Sequence, residues 1–142
     1  MTPTFLHLCT VVFTVAMLSV SVYFLLGSVP LLILKHDTPV DGNFIRSFFN
    51  LYYRVGAFVA AGATLSYAFS GRTWFALGAA AIAVLAVVLR RSIVAKMDLL
   101  RSQIQNTYLE AIPEFRKIHF QAIVISMLQL AVVVWSLFQF KL

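Results

Sequence analysis

The chain has 142 residues, of which 61% are hydrophobic and 11% charged, and it carries a formal net charge of +6. Soluble domains average roughly 45–50% apolar and about 25% charged residues, so a soluble fold hiding this much apolar surface is excluded and a bilayer has to be part of the solvent. The basic residues flank apolar stretches and form no basic domain of their own, which excludes a nucleic-acid partner and makes the charge topological and lipid-facing.

A membrane helix needs about 20 mostly apolar residues to cross hydrocarbon about 30 Å thick. Four segments approach that length, at about 5–30, 46–69, 73–90 and 115–139. The first runs from Phe5 to about Leu26 and can extend to Leu34, with Gly27, Ser28 and Pro30 as the expected kink or stop. No positively charged region precedes it, since the first basic residue is Lys35, so it reads as a retained membrane element and not as a cleaved signal. Cys9 lies inside this run as small apolar filler. Lys35-His36-Asp37 marks the exit to water, and Thr38-Pro39-Val40-Asp41-Gly42-Asn43 reads as a turn-rich connection, with Asp41 or Asn43 capping the next helix.

The second helix is expected from near Phe44 to about Phe69, followed by a tight turn at Ser70-Gly71-Arg72. The third begins near Thr73 and stays apolar to Leu89, where Arg90-Arg91 ends its apolar core; those 17 residues amount to about 26 Å. Beyond them Ile93, Met97, Leu100, Ile104 and Tyr108 step by four, three, four and four, which is one face of a helix. The third helix is therefore expected to continue as an amphipathic extension whose apolar face covers either the chain's own helix ends or a partner. Pro113 fits the first turn of the fourth helix, with Glu114 near its positive end.

Four spans place the first and third connections on one side of the membrane. Lys35, Arg46, Arg54, Arg90, Arg91, Lys96, Arg101, Arg116 and Lys117 belong to that side, and only Arg72 and Lys141 to the other. The positive-inside rule then makes those connections cytoplasmic and leaves both termini outside. The expectation is an all-α, integral membrane four-helix bundle, N-out and C-out, with an amphipathic cytoplasmic extension between helices three and four. It belongs in a bacterial inner (plasma) membrane or its equivalent. Small residues recur at intervals of four in the second helix (Gly56, Ala60, Thr64, Ala68) and in the third (Ala76 with Ala80, Ala79 with Ala83), as expected of a closely packed hairpin.

Ionisable residues within spans are suspects for function, because a charge at mid-membrane costs about 2.5 kcal/mol or more. Arg46, Asn50, Tyr53 and Ala57 share a face of the second helix, with Arg54 beside it, and Arg116, His119, Ile123 and Ser126 share one of the fourth, with Gln129 about one turn deeper. The two stripes lie in the cytoplasmic half. They can converge on a pocket for an anionic headgroup, a quinone-like ring or a small acid, or else form a polar clasp between helices. The binding residues singled out are Asn50, Tyr53, Arg54, Arg101, Arg116 and His119. No catalytic residue is assigned, and no cofactor: His7 is at the outer end of the first helix, His36 and His119 are cytoplasmic but His36 is in a loop, and the lone cysteine permits no cluster, so neither a metal nor a haem site is expected. His7, Thr10, Thr14 and Ser21 give the first helix a mildly polar face that reads as a contact surface between helices. All five carboxylates fall outside the spans, against an ion-driven transporter.

Leu26-Gly27-Ser28-Val29-Pro30, Phe48-Phe49-Asn50-Leu51-Tyr52-Tyr53-Arg54-Val55-Gly56, Lys96-Met97-Asp98-Leu99-Leu100-Arg101, and Phe115-Arg116-Lys117-Ile118-His119 followed by Leu128-Gln129-Leu130 together resemble the transmembrane protein 205-like family of small four-helix membrane proteins. The resemblance spans nearly the whole chain. It implies the same four-helix layout and places Tyr53, Arg54, Arg101 and His119 on the family's recurrent polar pattern, without a catalytic role. A looser likeness ties the chain to anthrone-oxygenase-like membrane proteins, whose usual Trp near the last-helix His is replaced here by Phe115 and Phe120. The resulting expectation is a non-catalytic accessory or structural subunit, surrounded by membrane lipids and docked onto a larger membrane protein complex. The alternative is a small membrane enzyme or a quinone- or lipid-binding protein built on the polar cluster.

Overall fold

A computed structural model describes residues 3–33, 39–105 and 111–138. Helix α1 spans Pro3–Leu31, α2 Pro39–Phe69, α3 Thr73–Leu89, α4 Ala95–Gln105 and α5 Ala111–Phe138, and no strand occurs among the described residues. Arg90–Val94 form a wider π-helical turn that joins α3 to α4, so the chain continues as one rod from Thr73 to Gln105. Four long helical rods result.

Local chemistry accounts for the boundaries. Proline at the start of α2 lacks only an N–H that the first turn could not have bonded anyway, and Asp41 sits at the positive end of the helix. The turn-rich connection expected at residues 38–43 is therefore helical from Pro39, and neither Asp41 nor Asn43 stands at a cap. Gly27 and Ser28 do not break α1, which continues to Leu31 with Pro30 in its last turn and ends through tightened bonds from Leu32 N to Val29 O and from Ile33 N to Pro30 O (3.1 Å each). Gly71 adopts φ 71°, a left-handed conformation that glycine enters without a Cβ penalty, and this closes the turn between α2 and α3. Helix α5 begins at Ala111, a turn ahead of the expected span, with Pro113 in its first turn.

The double arginine does not interrupt the third rod. The π turn widens the helix locally so that the consecutive Ile93 and Val94 are both buried, and it passes the apolar face on to Met97 and Leu100 of α4. These residues join Ile45, Phe49, Phe115 and Ile118 in the largest core cluster. The apolar face of the extension thus covers the chain's own α2 and α5; Tyr108 and the side chain of Ile104 fall outside the described residues. Nearer the α2–α3 turn the core is built of smaller residues, with Ala63, Tyr67, Ala76 and Ala79 in one cluster and Met17, Val59, Ala60 and Val133 in another.

Helix α2 holds the centre, with its most extensive interface on α3 and the next on α1. Its antiparallel course along α1 is recorded by three contacts: Thr10 with Ser70, Thr14 with Tyr67, and the site of Gly27 with Phe48. Three helical stretches are long and apolar enough to cross a membrane, Thr4–Leu31, Thr73–Gln103 and Ala111–Phe138. Only 28%, 28% and 22% of their most apolar windows is buried within the protein, so most of that surface needs another cover. Helix α2 is more polar because its first half carries Arg46, Asn50 and Arg54.

Glycines in α2 provide a packing test. A Cβ on Gly62 would run into the Phe13 ring, whereas one on Gly56 would meet nothing within 4 Å. Gly62→Ala should destabilise the bundle by about 1–3 kcal/mol through overpacking. Gly56→Ala should stabilise it by up to about 1 kcal/mol through helix propensity. Thermal unfolding in detergent, followed by circular dichroism, reads both.

Candidate functional site

The buried polar groups of the bundle form a ladder along α1. Thr10 and Ser70 share a hydrogen bond of 3.1 Å, and Thr14 and the Tyr67 hydroxyl one of 2.6 Å. One level further toward the α4 end, the Tyr52 hydroxyl faces Ser126 of α5 and Ser21 of α1. Each of the α1 hydroxyls also donates to the carbonyl four residues back, Thr10 to Leu6, Thr14 to Thr10 and Ser21 to Met17. A hydroxyl whose proton is donated and whose oxygen has a polar neighbour costs little to bury. Thr10, Thr14 and Ser21 of the polar face of α1 form a contact surface that Tyr52 and Tyr67 meet, whereas His7 is exposed. Sequence reasoning passed over both tyrosines, although their period along α2 puts them beside α1.

Of the residues singled out as a site, Tyr53 and His119 both turn into the core. Tyr53 is 1% exposed and His119 fully buried, and both rings lie against Phe49, at 6.1 Å and in an edge contact at 5.1 Å. The helical period explains this inward pair: Ile45, Phe49 and Tyr53 share the core face of α2, as Phe115, Ile118, His119, Ala122 and Ser126 share that of α5. The Tyr53 hydroxyl is buried without a hydrogen-bond partner.

The other members of the set go elsewhere. Asn50 turns toward α3, where its Oδ1 accepts a 2.8 Å bond from Nε of Arg90. Arg54 and Arg116 are exposed on the outer faces of α2 and α5. Arg101 reaches from α4 to α2, donating from Nη1 to Oδ1 of Asn43 at 2.8 Å, and its Nε is buried without a partner. It lies across Gly42, whose missing side chain leaves the room; a Cβ there would stand 3.3 Å from Cγ of Arg101. One turn further along α2, Arg46 grips both oxygens of Asp98 at 2.8 and 3.0 Å. A bidentate fork of this kind fixes how α4 lies on α2.

The available spaces differ in character. Beside Tyr53 a cavity of about 20 Å³ is bounded by Ser21, Tyr52, Gly56 and Gln129, enough for about one water molecule. A groove of about 330 Å³ lies on the outer side of α1 and α2, lined by Tyr23, Phe24, Phe48, Leu51 and Val55. Another, of about 220 Å³, opens between α3 and α5 and is lined by Trp74, Phe75, Gly78, Ile82, Val132 and Trp135. Among the described residues no three side chains of His, Cys, Asp or Glu converge as a metal-binding group; His36 lies outside them.

Comparison with protein-family models, with curated proteins and with solved structures finds no match.

Two tyrosine variants separate the clasp from the isolated hydroxyl. Tyr52→Phe should destabilise by about 1–3 kcal/mol, because Ser21 and Ser126 lose their partner. Tyr53→Phe removes a buried group that satisfies nothing and should be neutral or stabilising by up to about 1 kcal/mol. Equilibrium unfolding of the two proteins in the same detergent makes the comparison.

Proposed function

We propose that this chain is a four-span integral membrane protein, N-out and C-out, serving as an accessory or structural subunit docked onto a larger membrane protein complex. Helix α2 is taken as the fourth span because it runs antiparallel between α1 and α3, each apolar enough to cross; a chain that leaves the membrane with α1 and re-enters with α3 has to return through α2. The orientation rests on the nine basic residues of the α1–α2 and α3–α5 side against two on the other. A bacterial inner membrane, or its equivalent, suits that asymmetry, and the resemblance to the transmembrane protein 205-like family is compatible with the layout.

One observation carries the non-catalytic reading. The larger concavities are apolar and lie on the outside, whereas the space at the buried polar residues is about 20 Å³. Small-molecule sites are usually about 300–1,000 Å³ with a few convergent polar groups. The groove between α3 and α5 presents two tryptophans and the bare backbone of Gly78, features that favour close approach of a neighbouring helix. The alternative reading, a small membrane enzyme or a quinone- or lipid-binding protein, is favoured by the unpartnered hydroxyl of Tyr53, which lines the small cavity with Ser21, Tyr52 and Gln129.

Purification from native membranes in mild detergent should yield a complex larger than the chain alone. Gly78→Leu should release the partner while leaving the helical content unchanged, and a chain that is monomeric and partner-free in native membranes would refute the docking reading. For orientation, a cysteine placed at Lys96 should react with membrane-impermeant thiol reagents only after the cytoplasmic side is opened.

A further inference from the structure

Arg54 and Arg90 stand equally far along the chain from Arg72, the last residue of the α2–α3 turn, and so do Arg46 and Asp98. The second pair is joined by the bidentate bond described above, which establishes that the two helices keep register this far from the turn. Arg54 and Arg90 are thereby brought to one level on neighbouring helices. Asn50, one helical turn from Arg54 on the same face of α2, holds Nε of Arg90 at 2.8 Å and leaves both of its terminal nitrogens available. The π turn starts at Arg90, and such turns re-aim side chains within an otherwise regular helix.

Both guanidiniums are exposed, and among the described residues neither has a carboxylate within ion-pair distance. Asp98, the carboxylate of α4, is already held by Arg46. Two permanent positive charges at one level repel each other, and an arginine fork matches a phosphate in shape and charge. Toward the turn from Arg54 and Arg90 the seam surface is hydrocarbon, with Phe58 75% and Val87 41% exposed. The seam therefore offers cations at one end and apolar surface above them, the order in which a phospholipid presents phosphate and acyl chain.

We propose that Arg54, Arg90 and Asn50 form a binding site for the phosphate of an anionic phospholipid at the cytoplasmic end of the α2–α3 seam. Arg54 and Arg90 engage the phosphate oxygens, and Asn50 positions Arg90. A headgroup bearing its own cation, such as choline, is disfavoured because that cation meets the same two guanidiniums. The site rests on the four-span reading given above, which sets these residues at the membrane boundary.

Native mass spectrometry of delipidated protein in detergent, titrated with phosphatidylglycerol or phosphatidylcholine, tests the assignment. The wild type should prefer phosphatidylglycerol by about tenfold or more, in line with the contribution of each basic residue near an anionic lipid. Arg54→Gln combined with Arg90→Gln should abolish that preference, while Lys117→Gln, which alters an exposed cation on α5, should keep it. If the double variant fails to fold, Asn50→Ala carries the test: the charges stay and the preference should fall about threefold, whereas an unchanged preference overturns the site. Equal binding of the two lipids by the wild type, or a preference surviving in the folded double variant, also overturns it. Inorganic phosphate binding as tightly as the lipid would make this a free-anion site and overturn the lipid assignment. Recovery of the protein from cytosol without detergent would instead defeat the four-span reading itself.

Discussion

Through the positive φ of Gly71 the chain reverses between two helices that then run side by side as far as the clamp of Arg46 on Asp98. The register of this hairpin governs the rest of the bundle. It sets α4 on α2, which lets Met97 and Leu100 close over Ile45 and Phe115, and it turns Tyr52 and Tyr67 toward the hydroxyls of α1. A shift by one residue would rotate each of these groups about 100° around the helix and leave buried hydroxyls without partners. In hydrocarbon, where no water can replace a lost hydrogen bond, that is a strong constraint on register.

Within this frame polar residues divide into two kinds. The inner hydroxyls of α1, α2 and α5 lie between helices, and the threonine and serine hydroxyls of α1 and α5 also donate to their own backbone. The outer arginines face away from the core and gather toward one end of the bundle, where the four-span reading sets lipid headgroups. Between them, the apolar surface of three helices is left mostly uncovered by the protein, which is what a bilayer or a neighbouring membrane protein would cover.

The amphipathic extension illustrates how a correct local reading leaves the destination open. The spacing of Ile93, Met97 and Leu100 marks an apolar helical face, and a helix is there. Whether that face seeks a partner or the chain itself depends on where α5 lies, a long-range matter that periodicity does not contain. The structure turns it inward, and the apolar surface left exposed lies in the grooves between α3 and α5 and along the outer side of α1 and α2.

Sequence alone determined the helical class, the apolar spans, the turn at Ser70-Gly71-Arg72 and the charge asymmetry, because each depends on residues close together in the chain or on simple counting. Helix ends were less legible: α2 starts at Pro39 inside a stretch that reads as a turn-rich connection, and α1 runs through Gly27 and Ser28, which read as a kink or stop. The continuation of the third helix past Arg90-Arg91 was legible, whereas its π turn was not. The candidate site was read from helical faces, but a face has no partner until helices are rotated against one another. That rotation puts Tyr53 and His119 in the core, turns Asn50 to Arg90, and leaves Arg54 and Arg116 outside. Only tertiary packing could decide this, because side chains a single residue apart on a helix point about 100° from each other and can face different neighbours.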